Sequence, residues 1–368
     1  MTDLIGIFRE IADPRDVNAR HDLASILFIG LAATLCGAKS CVEMAEFGEA
    51  NVSVLSEIVD LPHGPPSHDT FSRVMRLLDP VELERAFEAF MQALRQALGV
   101  GSPKGVVAID GKSLRRGYEA GRSYMPPLMV GVWDAQTRLA IAQTRAPGGS
   151  EVNATLALLK GLVLKGCTVT ADALHAHPAM AKAVRDAGAH YALSLKGNRP
   201  SLLAAAQAAF EAGGEGLASW TTSEAGHGRT ETRSASILPV RSLTAEHGDW
   251  PGLAAIGRIQ TERTLKDKPT TTHSRYVLLS KMLSPRKLAE VIRDHWSIEN
   301  HLHWTLDVVF DEDDARSRKN YAPENLAVIR RMALNILRAH PSAKSIAVKM
   351  KLAAWSKDFF FELFTHMR

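Results

Sequence analysis

Between Val106 and Ala212 the apolar pattern changes period in an order that few folds accommodate. Val106-Val107-Ala108-Ile109 is a short apolar run closed by Asp110. Leu128–Asp134 and Arg138–Thr144 follow, separated by a short polar turn as in a hairpin. Glu151–Leu164 then has helical spacing, Cys167–Asp172 reads as a strand, Pro178–Ala187 as a helix, His190–Leu195 as a strand and Ser201–Ala212 as a helix. The order is β-β-β-α-β-α-β-α. Three antiparallel strands followed by parallel strands reached through helical crossovers predict an α/β fold with a ribonuclease-H-like mixed sheet. Such sheets carry their functional groups at strand ends. Here the first and fourth strands each end in an aspartate, Asp110 and Asp172.

The flanking regions read differently. Residues 1–98 predict an all-helical N-terminal domain, with helical spacing over Leu23–Leu35, Cys41–Phe47, Val52–Val59, Thr70–Leu77 and Pro80–Leu98. Ser67 or Asp69 suits the cap of the fourth helix, and Pro80 suits the first turn of the fifth. The turn Gly64-Pro65-Pro66, followed by a helix start with Arg73 and Arg76 exposed, is compatible with a helix-turn-helix, a pattern any helical bundle offers. Residues 99–368 read as a catalytic domain. About 214–280 form a polar, β-rich insertion, with strands over Ala218–Thr222, Arg229–Leu238, Leu253–Thr264 and Ser274–Leu279. Alternation puts Arg229, Glu231 and Arg233 on one strand face. Residues 285–368 return to helix, with Leu288–Leu306 as one long amphipathic segment and Asn325–Leu337 and Ile346–Leu363 as others.

Glu299 interrupts the first of these segments. Ile292, Trp296, Leu302 and Leu306 stand at i−7, i−3, i+3 and i+7 from it, so a regular helix puts a carboxylate into an apolar stripe. A charge there costs several kcal/mol unless a cation or a metal compensates it. Asp110, Asp172 and Glu299 are thus three separated carboxylates able to converge. Phosphodiester chemistry at two Mg²⁺ ions roughly 3.5–4 Å apart requires such hard oxygen ligands. In that arrangement Asp110, on rigid backbone near the sheet centre, bridges both ions, while Asp172 and Glu299 each complete one.

Each residue also has an ordinary reading. An aspartate at a strand end is often a turn former or a helix cap. Glu299 alone could pair with Arg293 or His295. The three together, in this element order, favour the site. Other motifs compete less well. Asp110-Gly111-Lys112-Ser113 ends like a phosphate-binding loop, but position 106 carries Val where that loop needs Gly. His295, Glu299 and His303 at i, i+4 and i+8 could ligate zinc from one helix face, yet no HExxH pattern is present and the other carboxylates favour a hard ion. Those histidines fit better as phosphate contacts or as residues that orient the metal ligand. Asp307, Asp311, Glu312, Asp313 and Asp314 lack the central glycine of a calcium loop and read as a solvated helix end, with Asp307 able to supplement the site. Lys112, Arg115 and Arg116 follow the first aspartate, and Lys196 and Arg199 follow the fifth strand; all lie where DNA would enter, and all could equally be surface charges. His175, shortly after Asp172, suits a supporting role or an ordinary loop.

Composition narrows the class. The 368 residues are 46% hydrophobic and 23% charged, ordinary for a soluble globular chain of two or three domains. Cys36, Cys41 and Cys167 make an odd number without metal-ligand spacing, which suggests a reduced cytosolic protein. The apolar stretch Leu23 to Ala38 is shorter than the roughly 20 residues that span a bilayer. The acidic opening of the chain lacks a signal-peptide n-region, and there is no low-complexity tract or internal repeat. Residues 1–100 hold 8 Lys+Arg against 15 Asp+Glu, whereas residues 315–368 hold 11 against 3. A basic C-terminal segment beside an acidic N-terminal one suggests a polyanionic partner, the alternative being a merely solvated helix face.

Five stretches together resemble a known family. They are Val106-Val-Ala-Ile-Asp110-Gly-Lys-Ser-Leu-Arg115, Thr168-Val-Thr-Ala-Asp172-Ala-Leu-His175, Lys196-Gly-Asn198, Gly226-His-Gly-Arg-Thr-Glu231 and His295-Trp-Ser-Ile-Glu299-Asn-His-Leu-His-Trp304. As a set they resemble the H-repeat-associated group of bacterial insertion-sequence transposases, a DDE-type family. The similarity covers nearly the whole chain, including an N-terminal associated domain around Asp13-Pro-Arg-Asp16 and His21. It implies Asp110, Asp172 and Glu299 as a catalytic and metal-binding triad, a ribonuclease-H-like core and a β-rich insertion before the glutamate. One departure stands out. Related DDE transposases carry Tyr, Arg and Lys at i−7, i−4 and i+7 from the glutamate, and here those positions are Ile292, His295 and Leu306.

The resemblance implies a DNA transposase that cleaves at insertion-sequence ends and transfers the freed 3′-OH into target DNA. Mg²⁺ is its implied cofactor, as two ions for which Mn²⁺ can substitute. Its implied partners are terminal inverted repeats, target DNA and a second copy of the chain, with no membrane, and its location is the cytoplasm in association with the nucleoid. Lys112, Arg115, His175, Lys196, Arg229, His295 and His303 are candidates for DNA binding or for support of the triad. The alternatives are a metal-dependent nuclease and an inactive, transposase-derived DNA-binding protein.

Overall fold

The computed structural model describes residues 2–118, 125–213, 217–226, 229–240, 250–265 and 269–365. Six helices come first: α1 (Thr2–Arg9), α2 (Leu23–Leu35), α3 (Cys41–Ala50), α4 (Val52–Leu55), α5 (His68–Leu77) and α6 (Pro80–Ala97). Their starts follow the expected chemistry. Asp22 caps α2 by accepting from Ser25 N–H, Ser40 forms a capping box with Glu43 on α3, Ser67 rather than Asp69 caps α5, and Pro80 opens α6. Arg73 is exposed as expected, whereas Arg76 is half-buried and donates to Ser72 O. Every residue of α2 is buried, which explains why its sequence is apolar all round.

The core alternates strands with helices: β1 (Val106–Ser113), β2 (Leu128–Asp134), β3 (Leu139–Arg145), α7 (Glu151–Gly161), β4 (Thr168–Ala171), α8 (Pro178–Asp186), β5 (His190–Leu195) and α9 (Pro200–Ala212). Four long strands follow, β6 (Ser219–Gly226), β7 (Arg229–Pro239), β8 (Ala255–Leu265) and β9 (Thr271–Leu279). The described strands form one nine-stranded sheet in the order β3-β2-β1-β4-β5-β9-β8-β7-β6. β1 pairs antiparallel with β2 and parallel with β4, and β4 pairs parallel with β5. The ribonuclease-H-like order is therefore present. The insertion is not a separate layer: β9 pairs antiparallel with β5 and extends the core sheet outward.

The chain closes with α10 (Pro285–His295), a π-helical segment over Ile298–His303, α11 (Trp304–Val308), α12 (Ala322–Ala339), α13 (Ile346–Trp355) and α14 (Lys357–Glu362). α12 runs through the interior and packs on α2, α5, α6 and β3, so one continuous apolar core joins the N-terminal helices to the sheet. Asn335 on α12 bridges to β3 through both the N–H and the C=O of Ala140, and Asn325 donates to Met75 O and Leu78 O at the end of α5.

Two expectations are corrected here. Leu288–Leu306 is not one regular helix, because Trp296 caps α10 and the π-helical segment follows. The C-terminal basic surplus is not a surface feature throughout. Arg330, Arg331 and Lys349 are buried: the two arginines face the buried Glu312, and the Lys349 ammonium donates to Leu337 O and His340 O. These cations neutralise buried acceptors that would otherwise be costly.

Candidate active site

β1 supplies the first carboxylate because its front half is apolar on both faces and locks into the sheet centre. Val107, Ala108 and Ile109 are fully buried, and Asp110 stands opposite Gly131 of β2. The parallel register matches Ile109 with Ala171, the last residue of β4, so Asp110 and Asp172 lie one step beyond the last pair of their two strands. β1 runs on to Ser113, whereas β4 stops, which leaves the β1 edge open from Asp110 onward on that side. Asp172 caps a 3-10 turn, Ala173–His175, by accepting the Ala173 N–H.

The π-helical segment brings the third carboxylate over the sheet. Its extra residue per turn re-aims side chains relative to a regular helix. Ile298, Leu302 and Leu306 are fully buried, while Trp296 is 41% exposed and the Glu299 side chain 50% exposed. Glu299 therefore flanks the buried stripe instead of interrupting it. Two anchors hold the segment. Trp133 on β2 donates its indole N–H to Ser297 Oγ at 2.8 Å. Arg338 on α12 donates to His301 O at 2.6 Å and lies 4.6 Å above the Trp133 ring.

Asp110, Glu299 and His303 converge, with a ligand atom from each within 4.8 Å of the others. His303 Nδ1 is 3.5 Å from Asp110 Oδ2 and 3.5 Å from Glu299 Oε2. Burial, then the neighbouring Glu299 and Glu151 carboxylates, push the Asp110 carboxyl up to about 8. Glu299 is held down to about 2, first by its hydrogen bond with His303 and against a cost of burial. A buried acid that keeps its proton beside a charged one fits a position a cation is meant to fill. Two carboxylates with one imidazole suit a divalent metal, and the zinc face of His295, Glu299 and His303 does not form, because His295 Nδ1 turns to Thr170 Oγ1 at 3.0 Å.

Asp172 stands outside this cluster, and Lys196 Nζ lies 3.0 Å from its Oδ1. Burial works to raise the Asp172 carboxyl, but the Ala173 N–H and the Lys196 ammonium outweigh it and hold it below the ordinary value. Burial lowers His295 below the usual imidazole range, so its ring is neutral at pH 7 and is no permanent substitute for a cationic phosphate grip. Lys112, 7% exposed, is clasped between Asp307 and Asp313, and Arg115 and Arg116 reach Asp313 and Asp314. The acidic cluster expected as a solvated helix end is in fact spent on counter-charges: Asp307, Asp313 and Asp314 on these cations, Asp311 on Lys39 and Glu312 on Arg330 and Arg331. His175 is fully buried against Glu151. Arg229 is exposed at the outer end of the β6–β7 hairpin, away from the carboxylate cluster, and His227 and Gly228 of its motif lie outside the described residues.

A groove of about 490 Å³ runs beside the site between β7–β9 and α10. Arg233, Arg263, Arg275, Arg293 and Trp296 line it, together with Asn300, which follows Glu299 in the chain. The Arg275 guanidinium lies 5.1 Å from the Trp296 ring. Sequence reading missed most of these residues, because their convergence depends on β-sheet register; Arg229 and Arg233 on one face of β7 were the available signal.

Comparison with known proteins fits this geometry. Residues 101–336 match the family model described as "Transposase DDE domain", and residues 5–91 match the one described as "DDE_Tnp_1-associated". The chain belongs to the DDE transposase family. Among relatives of this transposase-family chain, "H repeat-associated putative transposase YhhI" of Escherichia coli K12 is 31% identical over 349 residues, covering 92% of the chain and 91% of that protein. "Putative protein YbfL" of the same organism is 32% identical over the same shares. A cryo-EM structure of the piggyBac transposase synaptic complex with hairpin DNA shares the fold, with a TM-score of 0.50 at 13% identity over 99% of this chain and 78% of that one. Family membership implies a divalent metal. No described helix is long and apolar enough to cross a membrane.

Proposed function

We propose that this family member is an active DNA transposase, cleaving at the ends of an insertion sequence and joining the freed 3′-OH to target DNA. The convergence of Asp110, Glu299 and His303 within 4.8 Å, with Asp172 one strand-end away, carries this reading. Asp110, Asp172 and Glu299 are the residues that would hold Mg²⁺ or Mn²⁺, as a pair of ions. Bound there, the metal would supply charge neutralisation at the attacked phosphate and activation of the attacking oxygen.

The chain's own groups do the rest. Asp110 presents its carboxylate from the most rigid strand and gives up its proton when the site fills. His303 orients Asp110 and Glu299 towards each other. His295, neutral and bonded to Thr170, braces the π-helical segment against β4. Lys196 holds Asp172 until phosphate arrives, and then serves the phosphate. The basic groove carries the strand flanking the scissile bond. Residues 1–98, as a helical domain, recognise the terminal repeats, while residues 99–368 do the chemistry. Two element ends call for a homodimer, working at the nucleoid.

Labelled element-end DNA incubated with Mg²⁺ tests this reading, with wild type compared to Asp110→Asn. End-specific cleavage followed by joining, absent in Asp110→Asn, is expected. No end-specific cleavage by wild type overturns the proposal, and cleavage without joining assigns the chain as a nuclease.

A further inference from the structure

Glu151 belongs to neither the expected triad nor the convergent cluster, yet the structure brings it against the same strand. It opens α7, which a short 3-10 turn over Pro147–Gly149 separates from β3, and its side chain is 15% exposed. A Cβ built on Gly111 would meet the Glu151 carboxyl carbon and Oε2 at 2.5 Å. Glycine after Asp110 is therefore what allows this carboxylate to lie against the β1 backbone. Glu151 approaches from the face of β1 opposite the π-helical segment, since consecutive residues of a strand face opposite sides. It does so where pairing with β4 has ended, so no neighbouring strand separates it from the open β1 edge at Asp110.

The carboxylate is also held. His175 Nε2 lies 3.0 Å from Glu151 Oε1, the His175 side chain is fully buried, and its Nδ1 has no hydrogen-bond partner. His175 ends the turn that Asp172 caps. The pair thus connects the residue after Asp110 to the turn after Asp172, and it uses only one of the two Glu151 oxygens. A fully buried imidazole spent on fixing a carboxylate against the strand that carries Asp110 is costly if that carboxylate has no further task.

We propose that Glu151 is a fourth carboxylate of the metal centre, contributing its charge to the divalent cation through the open edge of β1, with His175 as its positioning residue. The inference rests on the metal-site reading above. It extends that site to both faces of the sheet and explains the Gly111–Glu151 approach, which the triad alone leaves without a reason.

Mn²⁺ binding to the full chain, without DNA, tests it by calorimetry. Glu151→Gln keeps the shape and removes the charge; it is expected to weaken Mn²⁺ binding at least tenfold, while Glu151→Asp recovers part of the loss and circular dichroism in EDTA stays as in wild type. Gly111→Ala, which drives the carboxylate off the strand, is expected to weaken binding likewise and decides the matter if Glu151→Gln does not fold. Unchanged Mn²⁺ affinity in the folded variants overturns the inference. Asp110→Asn is the control that separates the two readings. If it abolishes binding while Glu151→Gln does not, the triad stands and Glu151 falls; if Asp110→Asn binds as wild type, the metal-site reading itself fails.

Discussion

Lys112 Nζ stands 2.9 Å from Asp313 Oδ1, so the cation two residues beyond Asp110 on β1 is already neutralised by the chain's own acids. Arg115 shares Asp313, and Arg116 takes Asp314. Phosphates entering the site compete with these carboxylates. Asp313→Asn is expected to tighten binding of non-specific duplex DNA several-fold at low salt, with a steeper dependence on salt concentration, because one more cation becomes free to release counterions. Fluorescence anisotropy across a salt series reads both; equal or weaker binding refutes the competition.

Asp110 sets a pH signature for the metal-free protein. Its carboxyl is raised from 3.8 to about 8, so between those values the folded chain keeps a proton that the unfolded chain has lost. Stability is then fullest near pH 4 and is lost as pH rises towards about 8. Glu84, half-buried beside Thr144 and the Arg145 N–H and raised from 4.5 to about 7, adds the same sign over a narrower window. Glu299, held down to about 2, acts oppositely and only below its ordinary 4.5. Melting in EDTA at pH 6 and pH 8.5 is expected to give the lower midpoint at pH 8.5, and Asp110→Asn is expected to shrink that difference. Mn²⁺ affinity of wild type is expected to rise over the same range, since the ligand must deprotonate.

Arg338 carries the geometry of the π-helical segment. It is half-buried, its guanidinium covers Trp133, and it donates to Arg138 O and His301 O. Burial lowers it to about 9, still charged at pH 7. Arg338→Ala leaves the His301 carbonyl short of a donor and is expected to cost about 2 kcal/mol in urea unfolding, the scale of a hydrogen bond from a charged group. Arg338→Lys is expected to restore little, because a single ammonium cannot reproduce the forked contact and the ring stacking together. Full stability in Arg338→Ala would remove this account of the segment.

Asp110 and Asp172 were legible from sequence because strand ends follow a short apolar run directly, and the parallel register of β1 and β4 then puts them side by side. Glu299 was legible for a reason that turned out differently. A regular helix places it inside the apolar stripe, whereas the π-helical segment moves it to the stripe's edge, and no residue in Ile298–His303 signals that extra backbone step. Glu151 was not legible at all, since a glutamate in the first turn of a helix is ordinary dipole chemistry. Only the three-dimensional approach to Gly111 distinguishes it. The buried state of Arg330 and Arg331 was hidden for the same reason: charge counts do not report which face of α12 meets Glu312.

Trp296 and Arg275 offer the last test, in the groove beside the carboxylates. The Arg275 guanidinium lies 5.1 Å from the Trp296 ring, and Trp296 remains 41% exposed, so an aromatic face and a fixed cation stand together where a displaced strand would run. Base stacking on such a ring contributes roughly 1–3 kcal/mol. Trp296→Ala is therefore expected to weaken binding of single-stranded element-end DNA about tenfold or more, with little change in salt dependence. Arg275→Ala is expected to do the converse, reducing the slope of log affinity against log salt by about 1, as loss of one phosphate contact requires. Anisotropy titrations at several salt concentrations distinguish the two patterns. A Trp296→Ala variant that binds like wild type removes stacking from the groove's role.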